Sequence, residues 1–106
     1  MGKTLDQVRD LASRGEARIS EHGYDELAED DLYVRDLVAG LADAVLVEDY
    51  PDYPKGPCVL VLQRTAFGDP VHAVWGIPKG GSTPAVLVTA YRPDPSRWSD
   101  DFMRRR

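Results

Sequence analysis

Along residues 4–14 the apolar positions Leu5, Val8, Leu11 and Ala12 recur at three- and four-residue intervals. That spacing predicts a helix with one buried stripe, ended by Gly15. Ser20 is a good N-cap for a second, short helix, on which Ile19, Gly23 and Leu27 share a side. Asp30 or Asp31 then caps a third, with Val34, Leu37, Val38 and Leu41 facing inward and Gly40 near its end. From Asp43 the period becomes strand-like. Four apolar runs follow, AVLVEDY (44–50), CVLVLQR (58–64), PVHAVWGI (70–77) and AVLVTAY (85–91).

The connectors PDYPKGP (51–57), TAFGDP (65–70) and PKGGSTP (78–84) carry Pro, Gly and Asp turn chemistry. None is long enough for a crossover helix, so the strands are expected to form an antiparallel meander. The expected fold class is α+β, with N-terminal helices packed on one face of a four-stranded antiparallel sheet. Residues 93–106 read as a polar C-terminal tail in which Trp98 and Phe102 are placed to dock.

Length changes the picture only by limiting it. The 106 residues suit a single domain spanning 1–106, which at this size buries about 60–70% of its unfolded surface. Cys58 is the only cysteine, which excludes an intramolecular disulfide and a cysteine-rich zinc cluster. No N-terminal apolar run resembles a signal peptide and no segment approaches membrane-spanning length, so a cytoplasmic protein without a membrane partner is expected. The net charge of −5 opposes non-specific polyanion binding. Its acids crowd the first half, while Lys55, Arg64, Lys79, Arg92 and Arg97 mark the second.

The segment RISEHGYDEL (18–27) carries the strongest candidate chemistry. With Ser20 as N-cap, His22 occupies the second helical position, where the partial positive charge of the helix end disfavours imidazolium. That placement suits a general base. A first-turn histidine bonded to a nearby cap is the plainer alternative, with Gly23 there for close packing. Arg92 ends the last strand before a Pro-Asp-Pro turn, where its planar fork suits a phosphate or carboxylate, or one of the nearby acids. His72 lies mid-strand between Val71 and Ala73, in a position typical of a partly buried structural residue, and is carried as a candidate substrate contact. Lys79 sits in a Gly-Gly loop that suits an anion but lacks phosphate-loop spacing. Tyr53 and Lys55 share one proline-rich loop, an aromatic and a cation that suit a stacked base. His22 and Glu26 lack a third ligand, so no metal site is expected, and no cofactor motif is present. A small-molecule site at the PKGG loop would require a concave apolar pocket.

Three pieces, ISEHGYDEL (19–27), the run from LVEDYPDYPKGPCVLV (46–61) into HAVWGIP (72–78), and LVTAYRPDP (87–95), resemble a bacterial domain-of-unknown-function family. That family is grouped near the RelE-like and BrnT-like toxins of toxin–antitoxin systems. The resemblance covers most of residues 15–98. It implies a ribonuclease-toxin-like fold and metal-independent endoribonuclease activity of the mRNA-interferase type, by attack of the 2′-hydroxyl on the adjacent phosphodiester. On this chain His22 would be general base or acid and Arg92 would steady charge on the phosphate. Tyr91 and Lys79 would touch the substrate. The implied partners are a cognate antitoxin and RNA or a ribosome, with a homodimer left open. RelE-like toxins tend to be basic and this chain is acidic. Either RNA docks on a local cationic strip, or a partner presents it, or the protein is a non-catalytic interaction module of the same fold. The catalytic reading requires His22 and Arg92 to converge on one cleft.

Overall fold

The switch from helical to strand periodicity at Asp43 divides the chain into a helical layer and a sheet. The computed structural model describes residues 2–106. Its elements are α1 (Lys3–Ser13), β1 (Ala17–Ile19), α2 (Glu21–Glu29), α3 (Val34–Gly40), a 3-10 turn (Leu41–Asp43), β2 (Val45–Tyr50), β3 (Cys58–Arg64), β4 (Pro70–Gly76) and β5 (Ala85–Tyr91). Strands β2 to β5 form the expected antiparallel meander.

The sheet, however, is mixed and has five strands, in the order β1-β5-β4-β3-β2. Strand β1 lies parallel to β5, with Ala17 opposite Ala85 and Ile19 opposite Leu87. By its sequence pattern, segment 16–18 reads only as a link, and Ile19 as part of the apolar side of the second helix; the structure places Ile19 in β1 instead, before the Ser20 cap. A three-residue strand with one strongly apolar side chain is too short to show a period of two. Its pairing is instead fixed from outside, by the edge that β5 offers and by the flanking bonds from Ala85 N–H to the Glu16 carbonyl and from Ser20 N–H to the Leu87 carbonyl.

The core lies between the helices and one sheet face. Leu5, Val8 and Leu11 of α1 pack with Leu27, Leu37 and Leu41 against Val59, Val61, Ala73, Trp75 and Leu87. Trp75 Nε1–H donates to Gln63 Oε1 at 2.9 Å, and Gln63 Nε2 donates to the Leu37 carbonyl at 2.8 Å, so a buried polar relay ties the sheet to α3. Buried polar groups are tolerated when partnered in this way. Strand β3, an interior strand between β4 and β2, is buried from Cys58 to Gln63, and its apolar residues alternate between the two faces of the sheet.

The third helix starts later than an Asp30 or Asp31 cap would place it. Asp30 is the C-cap of α2, Asp31 takes the left-handed region at φ 55°, and Tyr33 precedes α3 without a side-chain cap. Aspartate is one of the few non-glycine residues that tolerate such a φ, which lets the chain reverse here in three residues.

Two register shifts interrupt the meander. One lies in β2 between Leu46 and Glu48. The other lies in β5, where Val74 faces Thr89 and Trp75 faces Leu87, so that Val88 is the extra residue. Bulges of this kind re-aim a side chain.

Candidate functional site

The local geometry explains why a glycine follows His22. Ser20 Oγ accepts a hydrogen bond from Gly23 N–H at 2.9 Å and donates to the Val88 carbonyl at 2.9 Å, so one hydroxyl caps α2 and fastens it to β5. A Cβ on Gly23 would lie 2.8 Å from both the Leu87 and Val88 carbonyl oxygens. No side chain fits there, so Gly23 serves close helix-to-strand packing. His22 projects away from this contact, 68% exposed, with Nε2 3.5 Å from Glu26 Oε1.

Arg92 lies at the other end of the same helix. Its backbone N–H donates to Asp30 Oδ2 at 2.8 Å, its Nε to the Asp30 carbonyl at 3.0 Å, and its Nη1 sits 3.5 Å from Asp69. The rise of an α-helix sets His22 and Asp30 about 12 Å apart along the axis. The structure therefore does not bring His22 and Arg92 into one cleft. Each is paired with its own carboxylate, and Arg92 completes the C-terminal end of α2.

The sheet face opposite the helices divides into two halves. The tail covers one. His72 is fully buried there, its Nε2–H donating to the Phe102 carbonyl at 2.8 Å. Trp98 stands edge-on to the imidazole at 4.3 Å between centroids and Tyr91 at 5.6 Å. Arg105 covers Trp98 and pairs with Glu48 at 3.0 Å. Burial of His72 lowers its pKa below the usual imidazole value, and burial raises that of Tyr91. The docking expected of Trp98 is observed, and it removes His72 from solvent.

The other half is open. A hollow of about 510 Å³ has Val74, Gly76, Val86, Val88 and Cys58 as its floor. Tyr50, Tyr53, Lys55, Ile77 and Pro78 complete its lining. Tyr53 and Lys55 line the hollow, and the Lys79 N–H donates to the Lys55 carbonyl at 3.1 Å, which sets the Lys79 backbone beside Lys55 without making Lys79 part of the lining. Burial raises the Cys58 thiol pKa, with Asp49 adding to the shift, and an uncharged thiol is a poor nucleophile.

The floor residues are not distinguishable by sequence pattern, because β-strand alternation marks them simply as apolar. The one available signal is that β3, β4 and β5 are apolar on both faces, while the helices can cover only one. The 93–106 segment packs on only part of the second, around His72.

The model of a family described as "Domain of unknown function (DUF4258)" matches residues 19–92, and the chain belongs to that family. The matched segment runs from the end of β1 to Arg92 and so contains α2, α3 and the four-stranded meander. No curated protein and no solved structure matches the chain. Among the described residues, no helix is long and apolar enough to cross a membrane.

Proposed function

We propose that this DUF4258 protein is a non-catalytic protein-interaction module built on a RelE-like toxin fold, and that its partner is a cognate antitoxin-type protein. The surface around Phe67 carries this reading. Phe67 is 93% exposed at the tip of the β3–β4 hairpin, and Tyr33, 62% exposed, stands with it at a shallow hollow of about 80 Å³ that Arg64 and Arg92 also line. The hairpin is pre-organised. Thr65 Oγ accepts from the N–H groups of Phe67 and Asp69 at 3.2 Å each, and Thr65 N–H donates to the Asp69 carbonyl at 2.9 Å. Phe67 on this turn, with Tyr33 before α3 and the two arginines beside them, supplies the residue types that anchor protein interfaces. The separate carboxylate pairing of His22 and Arg92 supports the same reading, since neither faces the other across a substrate-sized gap.

When the protein is co-expressed with the product of the adjacent reading frame, the two are expected to purify as a stoichiometric complex. Phe67→Ala with Tyr33→Ala should weaken that complex at least tenfold while leaving the melting temperature within about 2 °C of the parent, as surface substitutions usually do. A complex indifferent to both changes would remove this surface from the reading.

One observation favours the endoribonuclease instead. The exposed His22–Glu26 pair at the start of a helix has the form of an imidazole held by a carboxylate, a common general-base arrangement. In that account His22 takes the 2′-hydroxyl proton, Arg92 leaves Asp30 to meet the phosphate, and Tyr53, Lys55 and Lys79 hold the flanking nucleotides. The purified chain is expected to leave RNA intact. Cleavage that persists in chelator and disappears in His22→Ala would replace the interaction reading with the enzymatic one.

A further inference from the structure

The open half of the sheet carries a hollow separate from the Phe67 surface, with its own lining chemistry. Its volume of about 510 Å³ falls within the range of small-molecule pockets. The floor is apolar across three strands, and Val86 and Val88 reach it by strand alternation, opposite the buried Ala85 and Leu87, with Val88 36% exposed. The walls do not depend on a ligand for their shape. Ile77 N–H donates to the Pro57 carbonyl at 3.0 Å and Lys79 N–H to the Lys55 carbonyl at 3.1 Å, which join the two loops, while Gly56 N–H to the Tyr53 carbonyl at 2.9 Å closes a turn within the first.

Charge then narrows the choice. In a chain with 18 acidic residues, the only charged side chain lining this hollow, among the described residues, is the cation Lys55. Among those residues it pairs with no carboxylate, whereas Arg9, Arg14, Arg92, Arg97, Arg105 and Arg106 all do. Glu48, the carboxylate that meets the Tyr50 wall, is already held by the Tyr50 hydroxyl and Arg105. Both phenols are partly exposed, Tyr50 at 42% and Tyr53 at 52%, so each offers a ring face to an apolar body.

We propose that this hollow binds an amphipathic monoanion, with an aliphatic or aromatic body lying on Val74, Val86 and Val88 between the tyrosines, and its carboxylate meeting the Lys55 ammonium. Burying the body supplies the affinity through apolar area, and the charge pair with the exposed Lys55 at the rim selects the anion over a neutral analogue.

The test compares decanoate, below its micelle-forming concentration, with decan-1-ol, below its solubility limit, by titration calorimetry on the full chain. Decanoate is expected to bind saturably at one site, about tenfold tighter than the alcohol. Lys55→Met retains the stem and should abolish that difference without changing affinity for the alcohol. Val88→Asp, at a position already part-exposed, should abolish binding of both ligands while thermal melting reports an intact fold. Absence of saturable decanoate binding overturns the proposal. So does decanoate affinity that is unmoved by Lys55→Met, or binding that survives Val88→Asp. All of these readouts are independent of the partner complex, which Phe67→Ala addresses separately.

Discussion

Gly56→Ala is expected to lower the melting temperature by roughly 10–20 °C and to abolish ligand binding in the sheet-face hollow. Gly56 sits at φ +122°, and a Cβ there would fall 2.0 Å from the Ile77 carbonyl oxygen and 2.6 Å from the Lys79 nitrogen. Both are backbone atoms, so no side chain can swing aside. The loop 51–57 must therefore leave the 77–79 segment, and the bonds from Ile77 N–H to Pro57 and from Lys79 N–H to Lys55 go with it. Strain at such a φ costs about 1–3 kcal/mol and forced overpacking a similar amount, and each kcal/mol moves the transition of a domain this size by about 4–8 °C. Gly15→Ala supplies the comparison. It has φ +76° but nothing within 4 Å of an added Cβ, so only the conformational cost applies. Thermal denaturation of the two variants followed by circular dichroism separates crowding from strain. If Gly56→Ala melts no lower than Gly15→Ala, the loop is not held against the 77–79 segment.

Crowding of that kind is invisible in a sequence, whereas burial on a known period is not. The stripe of Leu5, Val8 and Leu11, the Ser20 cap and the four apolar runs are legible because each is a local pattern. The strand at 17–19 is not, because its partner is 68 residues away and its own side chains carry almost no pattern. The site divides along the same line. Tyr53, Lys55 and Lys79 stand out as loop chemistry, and the backbone bonds between their two loops bring those loops together, although only Tyr53 and Lys55 line the hollow. His22 and Arg92 stand out equally, as polar groups in unusual positions. Their separation, however, depends on the direction in which α2 crosses β5, which no local pattern encodes. Gly23 illustrates the ambiguity most directly. A glycine that clears space looks the same in a sequence whether a phosphate or a strand carbonyl fills that space.

The second large effect is expected at acid pH and arises from His72. The imidazole is fully buried, donates through Nε2 to the Phe102 carbonyl, and leaves Nδ1 buried without a partner. Protonation would place a charge with no acceptor at Nδ1, flanked by Trp98, Tyr91 and the Arg105 guanidinium, while the Glu48 carboxylate that acts on it is itself engaged by Arg105 and Tyr50. The folded-state pKa is accordingly depressed, by burial above all. The Phe102 bond and Glu48 oppose that shift more weakly, and Arg105 adds to it. Because the unfolded chain takes up this proton more readily than the folded one, the stability contribution is complete above about pH 6.5. It falls as the pH drops below that value, at up to about 1.4 kcal/mol per pH unit until the folded-state pKa is reached. The Glu48 carboxylate is held below its ordinary pKa by Arg105 and Tyr50, so its own contribution is lost only lower down, in the carboxylate range. Denaturant titrations between pH 7.5 and 5 should therefore show stability declining with acid. The Trp98 indole resonance, read by NMR, should shift as the tail lifts from the sheet before global unfolding. His72→Gln retains a donor for Phe102 but cannot titrate, and it should flatten the dependence across this window. If the parent is equally stable at pH 7.5 and 5, or if His72→Gln declines in step with it, the tail is not clamped by a neutral imidazole.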